Sequence, residues 1–202
     1  LCEPATISNA KAVLLDGTTR LKKDGEIIHH HSGVAGFAEY AVLPREALVK
    51  IDNDIPFEHA ALFGCGVVTG VGAVINTANA REEDSVAIVG LGGVGLSALL
   101  ASLAVGSKKT IAIDLSDEKL TLARELGADH TLNPKDENFL EEMRDLTFGG
   151  ANIAIETAGS GRALETAYEI TRRGGTTVAA GMPGPEVNIT LSHLSIAAEE
   201  RV

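Results

Sequence analysis

Aromatic side chains are scarce: they make up 3% of the 202 residues, with five Phe, two Tyr and no Trp. Since 45% of the chain is hydrophobic all the same, its core must be assembled from Ala, Val, Ile and Leu, which suits an α/β protein and argues against disorder. Cysteine is scarcer still. Cys2 and Cys65 are the only two, far apart and in no C-x-x-C pair, so they form neither a disulfide framework nor a self-contained zinc knuckle. A reducing, cytoplasmic setting is the resulting expectation. Positive charge is also in short supply, with 17 Lys+Arg against 28 Asp+Glu and a formal net charge of −11. Such a chain repels a phosphate backbone and an anionic bilayer, so neither nucleic acid nor membrane is expected as a partner. Leu1 to Lys11 has no basic start and no apolar run, so no signal peptide is expected; with Leu in place of Met at position 1, the chain reads as a fragment.

Ser85 to Ser107 contains no charged residue, and an apolar run of about 18 or more is a candidate membrane span. Its period argues otherwise. A β-branched burst (Val86, Ile88, Val89) gives way to four closely spaced glycines and then to a helical stripe of Leu96, Leu99, Leu100 and Leu103.

From Val86 onward, strand-like runs alternate with helical stripes. The strand candidates are 86–89, 110–113, 130–132, 151–157 and 176–180; helices with i, i+3, i+4 spacing lie between them, as in Leu122/Leu126 and Phe139/Leu140/Met143. Ser116 is placed to cap the second of these helices, with Asp117 and Glu118 in its first turn and Gly127 closing it; Gly149-Gly150 and Gly174-Gly175 mark the next two exits. Short apolar strands separated by single helices pair in parallel through right-handed crossovers, which predicts a doubly wound α/β sheet of the Rossmann kind. Five strands are visible where the dinucleotide-binding form has six, so the last is expected to be missing. Residues 1–56 differ, with polar loops around Asp16-Gly17 and Asp24-Gly25 and an extended stretch from Gly33 to Ile51. They read as the remnant of another, β-rich domain. Phe57 to Asn79, carrying Gly64, Gly66, Gly70 and Gly72, reads as close-packed connecting helix.

The strongest motif is Gly90-Leu91-Gly92-Gly93-Val94-Gly95, which ends a predicted strand and opens a predicted helix. Gly90 permits the tight turn, Gly92 removes the side chain that would block a diphosphate, and Gly95 lets helix and strand pack closely. The helix start then offers unpaired N–H groups and partial positive charge to the phosphates. Asp114 stands at the end of the next strand, near the spacing of about 20 residues expected for an acid that binds the adenosine ribose hydroxyls. A carboxylate there repels a 2′-phosphate, and neither Leu115 nor Ser116 is an Arg that would receive one, so NAD is favoured over NADP. The bland alternative for Asp114 is a helix cap. Cys65, within Gly64-Cys65-Gly66, is either a small core residue or a thiolate ligand. His29 and His31 would share a strand face, but two His without a third ligand rarely make a metal site.

Taken in order, Ile28-His29-His30, Phe37-Ala38-Glu39-Tyr40, Gly64 through Gly70, the glycine fingerprint, Asp114 through Lys119, Glu156 through Gly159 and Gly181-Met182-Pro183 resemble the zinc-dependent medium-chain alcohol dehydrogenases over essentially the whole length. The resemblance implies an NAD- and zinc-dependent oxidoreductase that moves a hydride between an alcohol and NAD. It divides the chain into a partial catalytic (GroES-like) domain, residues 1–56, and an NAD-binding Rossmann domain, residues 57–202, incomplete at its C-terminus. It makes Cys65 a catalytic zinc ligand, and it makes Cys2 the counterpart of the last of four structural-zinc cysteines. Thr69 would lie against the nicotinamide, and Lys119 beside Asp114 at the ribose. The cofactor would be held by Gly90, Gly92, Gly93, Val94 and Gly95, and by Thr157, Ala158 and Met182, the last two along the nicotinamide side of the cleft. His31 and Ser32 would stand near a small alcohol or aldehyde substrate, and the intact protein would be a homo-oligomer.

The family's other zinc ligands have no counterparts here, and one protein ligand does not make a catalytic zinc, which needs three and an open position. The chain alone is therefore expected to bind NAD and to catalyse nothing. The competing readings are a non-catalytic NAD-binding module and a glutathione-adduct (formaldehyde) dehydrogenase. A methyltransferase would leave Gly95 and Gly64-Cys65-Gly66 unexplained, and a short-chain dehydrogenase would want Tyr-x-x-x-Lys where Tyr168 is followed by Arg172.

Overall fold

The computed structural model describes residues 3–31, 34, 36–43, 45 and 48–198. The chain divides into two compact units, Leu1–Asp54 and Ile55–Val202.

The first unit holds helix α1 (Glu3–Ala10) and an antiparallel hairpin of β1 (Leu21–Lys23) and β2 (Glu26–Ile28). Asp24 and Gly25 turn the hairpin with φ of 53° and 87°, the mirror-image two-residue turn whose twist matches that of its strands. Because β2 ends at Ile28, the expected strand face carrying His29 and His31 does not form. His30 is the buried one, its backbone N–H donating to the Ala12 carbonyl and its Nε2 accepting from the Arg20 N–H. The extended reading of residues 33–51 meets no strand among the described residues; Phe37, Tyr40 and Val42 there are exposed.

The second unit opens with α2 (Phe57–Leu62) and α3 (Val68–Gly72), which π-helical turns at Phe63–Val67 and Ala73–Thr77 join into one continuous helix, Phe57–Thr77. By length and composition this helix could cross a membrane. Its Gly70, however, is buried against another helix: a Cβ on it would stand 2.2 Å from the Val94 carbonyl oxygen. The charge-free stretch 85–107 is a strand, a turn and a helix, as its change of period requires.

Five strands follow: β3 (Ser85–Val89), β4 (Lys109–Ile113), β5 (His130–Leu132), β6 (Ala151–Glu156) and β7 (Thr171–Ala179). Between them run α4 (Gly93–Val105), α5 (Asp117–Glu125), α6 (Phe139–Thr147) and α7 (Gly161–Ile170), and α8 (His193–Ala198) comes last. The strands are parallel in the order β5-β4-β3-β6-β7, the doubly wound topology, with the chain reversing direction across the sheet between β3 and β6. Alternation along β3 sends Val86 and Ile88 to one face, against Leu99 of α4 and Leu120 of α5. Ala87 and Val89 go to the other face, against Phe139 and Met143 of α6 and Ile170 of α7. Both faces are covered, and Phe139 is the one aromatic in either cluster, as the composition requires.

Helix ends follow their sequence signals at α5, where the Ser116 side chain accepts from the Lys119 N–H and Gly127 takes φ of +108°. They depart at α7. This helix ends at Ile170, so Gly174-Gly175 lies inside β7 rather than at a helix exit. Thr171 pairs with Ala151 and Thr176 with Ile153, leaving Arg172 to Gly175 bulged opposite Asn152. A Cβ at Gly175 would stand 2.9 Å from the Asn152 carbonyl oxygen, so glycine serves close strand approach at this position.

Candidate functional site

The carboxyl ends of β3, β4 and β6 converge where the sheet order reverses, the place at which open α/β sheets form ligand crevices. Gly90 leaves β3 with φ of +96°, and a Cβ there would meet the Ala158 nitrogen and Cβ at 2.8 Å, so no other residue fits. Gly95, in the first turn of α4, is under tighter constraint, because its Cβ would fall 1.8 Å from the Gly90 carbonyl oxygen. Gly92 and Gly93 differ from both. A Cβ on either meets nothing within 4 Å, so the turn faces a hollow. Val94 is half-buried between them and Gly95. The first intrahelical bond of α4 runs from the Leu96 N–H to the Gly92 carbonyl, and the N–H groups before it have no partner within the helix. An anion in that hollow meets these donors and the positive end of the helix dipole.

Asp114 follows β4 and turns inward, its side chain only 10% exposed. Its Oδ2 accepts from the Leu91 N–H at 2.7 Å and its Oδ1 from the Ser116 N–H at 2.9 Å. Lys119 Nζ lies 3.6 Å from Oδ2. A carboxylate accepts about four hydrogen bonds, so capacity remains for ribose hydroxyls. Next to this carboxylate a cavity of about 600 Å³ has Leu115, Phe139, Leu140 and Ala158 among its walls and charged Lys135, Asp136 and Arg162 beside them, wide enough for a planar base.

Thr157 follows β6. Its N–H donates to the Val89 carbonyl at 2.9 Å, and its hydroxyl donates to the Gly90 carbonyl at 2.6 Å, so the side chain points into the turn rather than into the cleft. Ala158 lines the cavity. Met182 has an exposed side chain, and its backbone packs on Gly159, whose Cβ would stand 2.7 Å from the Met182 carbonyl oxygen. Gly90 of the turn, Asp114, Lys119 and Ala158 thus share one cleft, and Thr157 stands behind the turn. Thr69 is half-buried on α3, beside the Gly70 that packs on Val94. Cys65 is an exposed, free thiol in the π-helical turn before α3, which removes the core reading left open for it. Cys2 and Ser32 lie outside the described residues.

Sequence reasoning did not single out Glu156, which is 2% exposed. Its Oε1 accepts from the Gly159 N–H at 2.6 Å, and its backbone carbonyl accepts from both Ala180 and Gly181, so one residue ties the two loops past the ends of β6 and β7. An acid closing a mostly apolar strand was the available signal.

Zinc is a different case from the dinucleotide. Among the described residues no group of three His, Cys, Asp or Glu side chains stands close enough to hold a metal, and Cys65 is a single exposed thiol. The described residues do not make a catalytic zinc site.

Residues 93–201 match the family model described as "Zinc-binding dehydrogenase". Over 187 residues the chain is 36% identical to an S-(hydroxymethyl)glutathione dehydrogenase of Synechocystis sp., with 91% of this chain and 51% of that protein covered. Among solved structures, an alcohol dehydrogenase zinc-binding domain protein from Burkholderia ambifaria superposes with a TM-score of 0.91 at 32% identity, covering 99% of this chain and 55% of that one. Benzyl alcohol dehydrogenase from Acinetobacter calcoaceticus follows with a TM-score of 0.79 at 34% identity, covering 85% and 48%. The chain spans about half the length of these proteins.

Proposed function

The chain belongs to the zinc-binding dehydrogenase family, and from that premise we infer that its second unit binds NAD and serves as the cofactor-binding half of an oxidoreductase acting on an alcohol. The observation that carries this reading is the open hollow over Gly92 and Gly93 with the Asp114 carboxylate facing it from the next strand. The helix start of α4 takes the diphosphate, Asp114 and Lys119 take the adenosine ribose, and the cavity beside Phe139 takes the adenine. Ala158, Thr69 and Met182 lie toward the nicotinamide in this arrangement. When bound, the nicotinamide ring supplies the hydride-accepting carbon; the chain's own part is to hold the dinucleotide so that this ring meets a substrate carbon.

Asp114 also selects the cofactor, since its charge repels a 2′-phosphate. Replacement Asp114→Gly is expected to weaken NAD binding by roughly tenfold or more and to narrow the preference over NADP. Calorimetric titration of both cofactors into both proteins tests this, and an unchanged NAD to NADP affinity ratio would contradict it.

For the intact protein we propose alcohol–aldehyde interconversion, supported by relatives whose names carry a benzyl alcohol and a glutathione adduct as substrates. A cytoplasmic homo-oligomer belongs to the same reading. Among the described residues no three metal-ligating side chains gather, which favours a second reading, a module that holds NAD without reaction. The two separate on the intact protein: bound zinc together with NADH formation from a primary alcohol or from S-(hydroxymethyl)glutathione supports the enzyme, and NAD binding with neither supports the module.

A further inference from the structure

The peptide unit between Gly90 and Leu91 is gripped at both ends by side chains from two different strands. Its carbonyl oxygen accepts from the Thr157 hydroxyl at 2.6 Å, and its N–H donates to Asp114 Oδ2 at 2.7 Å. Thr157 stands just past β6 and Asp114 just past β4, on opposite sides of β3 in the sheet. We propose that Thr157 is a positioning residue for diphosphate binding: together with Asp114 it locks this one peptide in the orientation that keeps the hollow over Gly92 and Gly93 open.

A lock is needed because of the residue that precedes it. Gly90 sits at φ of +96°, and a glycine adopts several backbone states at small cost, so the peptide after it is the softest joint of the turn. Its carbonyl is also crowded, lying 1.8 Å from where a Cβ of Gly95 would be, and so is directed at the first turn of α4. Without a donor that oxygen would be a desolvated acceptor with reason to rotate outward. Rotation would take the Leu91 N–H away from Asp114 and bring a partial negative charge towards the space that receives phosphates. The Thr157 hydroxyl removes the reason to rotate. Its second near acceptor, the Val89 carbonyl at 3.2 Å, and its own N–H on the same carbonyl at 2.9 Å fix the side chain in place.

This inference rests on the NAD reading above, and the test keeps the two apart. ADP-ribose, NAD and adenosine are titrated into the chain and its variants by calorimetry. Thr157→Val keeps the shape and removes the donor; Thr157→Ser keeps the donor. ADP-ribose and NAD are expected to bind Thr157→Val roughly tenfold more weakly, adenosine to bind it within about twofold of the wild type, and Thr157→Ser to restore all three. Undiminished ADP-ribose affinity in Thr157→Val overturns the inference and leaves the NAD reading standing. So does an equal loss for adenosine and ADP-ribose, which would make Thr157 a general structural residue. Should Thr157→Val not fold, Thr157→Ala against Thr157→Ser carries the same contrast, and equal affinities in that pair overturn it. If the wild type binds neither ADP-ribose nor NAD, the functional reading itself is wrong.

Discussion

Residues 55–202 and residues 3–54 are held together by different means. The larger unit buries Ile88, Leu99, Ile111, Ile113 and Ile155 completely, in two clusters on opposite faces of one parallel sheet. In the smaller unit the buried residues among those described are Ser8 and His30, both polar, and its hairpin strands are exposed at every position. Its local order comes from hydrogen bonds between near neighbours: Asp16 with Thr18 and Arg20, Arg20 with His30, and the two-residue turn at Asp24-Gly25. Hydrogen bonds of this exposed kind each contribute about 1 kcal/mol or less, whereas a fully buried Leu or Ile contributes about 1.5–3 kcal/mol. A dinucleotide site needs atoms held to within a fraction of an ångström, and the proposed one lies on the unit with the aliphatic core.

The sharpest way to break that comparison is to truncate one apolar side chain in each unit. Leu99→Ala, at a site with no solvent exposure between α4 and the sheet, is expected to lower the unfolding free energy by about 2–5 kcal/mol. Ile27→Ala, at a 57% exposed position in the hairpin, is expected to change it by no more than about 0.5 kcal/mol. Comparable losses in a denaturant titration would show that the smaller unit shares in a core.

Within the larger unit, Gly92→Val separates stability from binding. Gly92 is exposed, has extended backbone at φ of −79°, and a Cβ on it meets nothing within 4 Å, so the unfolding free energy of the variant should stay within about 0.5 kcal/mol of the wild type. The same side chain fills the phosphate approach, and NAD binding should be lost; undiminished NAD affinity would refute the diphosphate role of the hollow.

The smallest effect belongs to the other unit. The hydroxyl of Thr18, then its backbone N–H, then Arg20 hold the Asp16 carboxyl below the usual carboxylate range. A depressed folded-state value means that this turn's stabilisation is present above the ordinary carboxylate pKa and is lost as the pH falls through the lowered one. The Thr18 amide resonance should therefore titrate in that acidic window, and in Asp16→Asn it should not. A Thr18 shift that persists in the variant would assign the titration elsewhere.

The elements that position the site were largely legible in order along the chain. The turn from β-branched residues to glycines to a leucine stripe is a local pattern, and it marks β3, its turn and α4 because backbone preference and burial period act over a few residues. The same is true of Ser116, whose cap reaches three positions along. Other features could not be read this way. Gly174-Gly175 resembles a helix exit in one dimension and is a bulge in three, where Gly174 takes φ of +67° and Gly175 lies close to Asn152 on the neighbouring strand. Glu156 reads as one more residue of the strand 151–157, yet its carboxylate ties a loop. Thr157 is itself expected at the cofactor, yet its hydroxyl is used on a carbonyl 67 positions earlier.

By itself the order of residues along this chain determined a parallel, doubly wound sheet with an aliphatic core, a phosphate-sized gap in side chains after its first strand, and an acid one crossover away. Those are consequences of period, composition and spacing, which operate locally. Packing in three dimensions set which way the Asp114 and Thr157 side chains point, that Cys65 is exposed, and that a single peptide is held from two strands. These depend on which strands become neighbours, and strand pairing joins residues that no window along the sequence brings together.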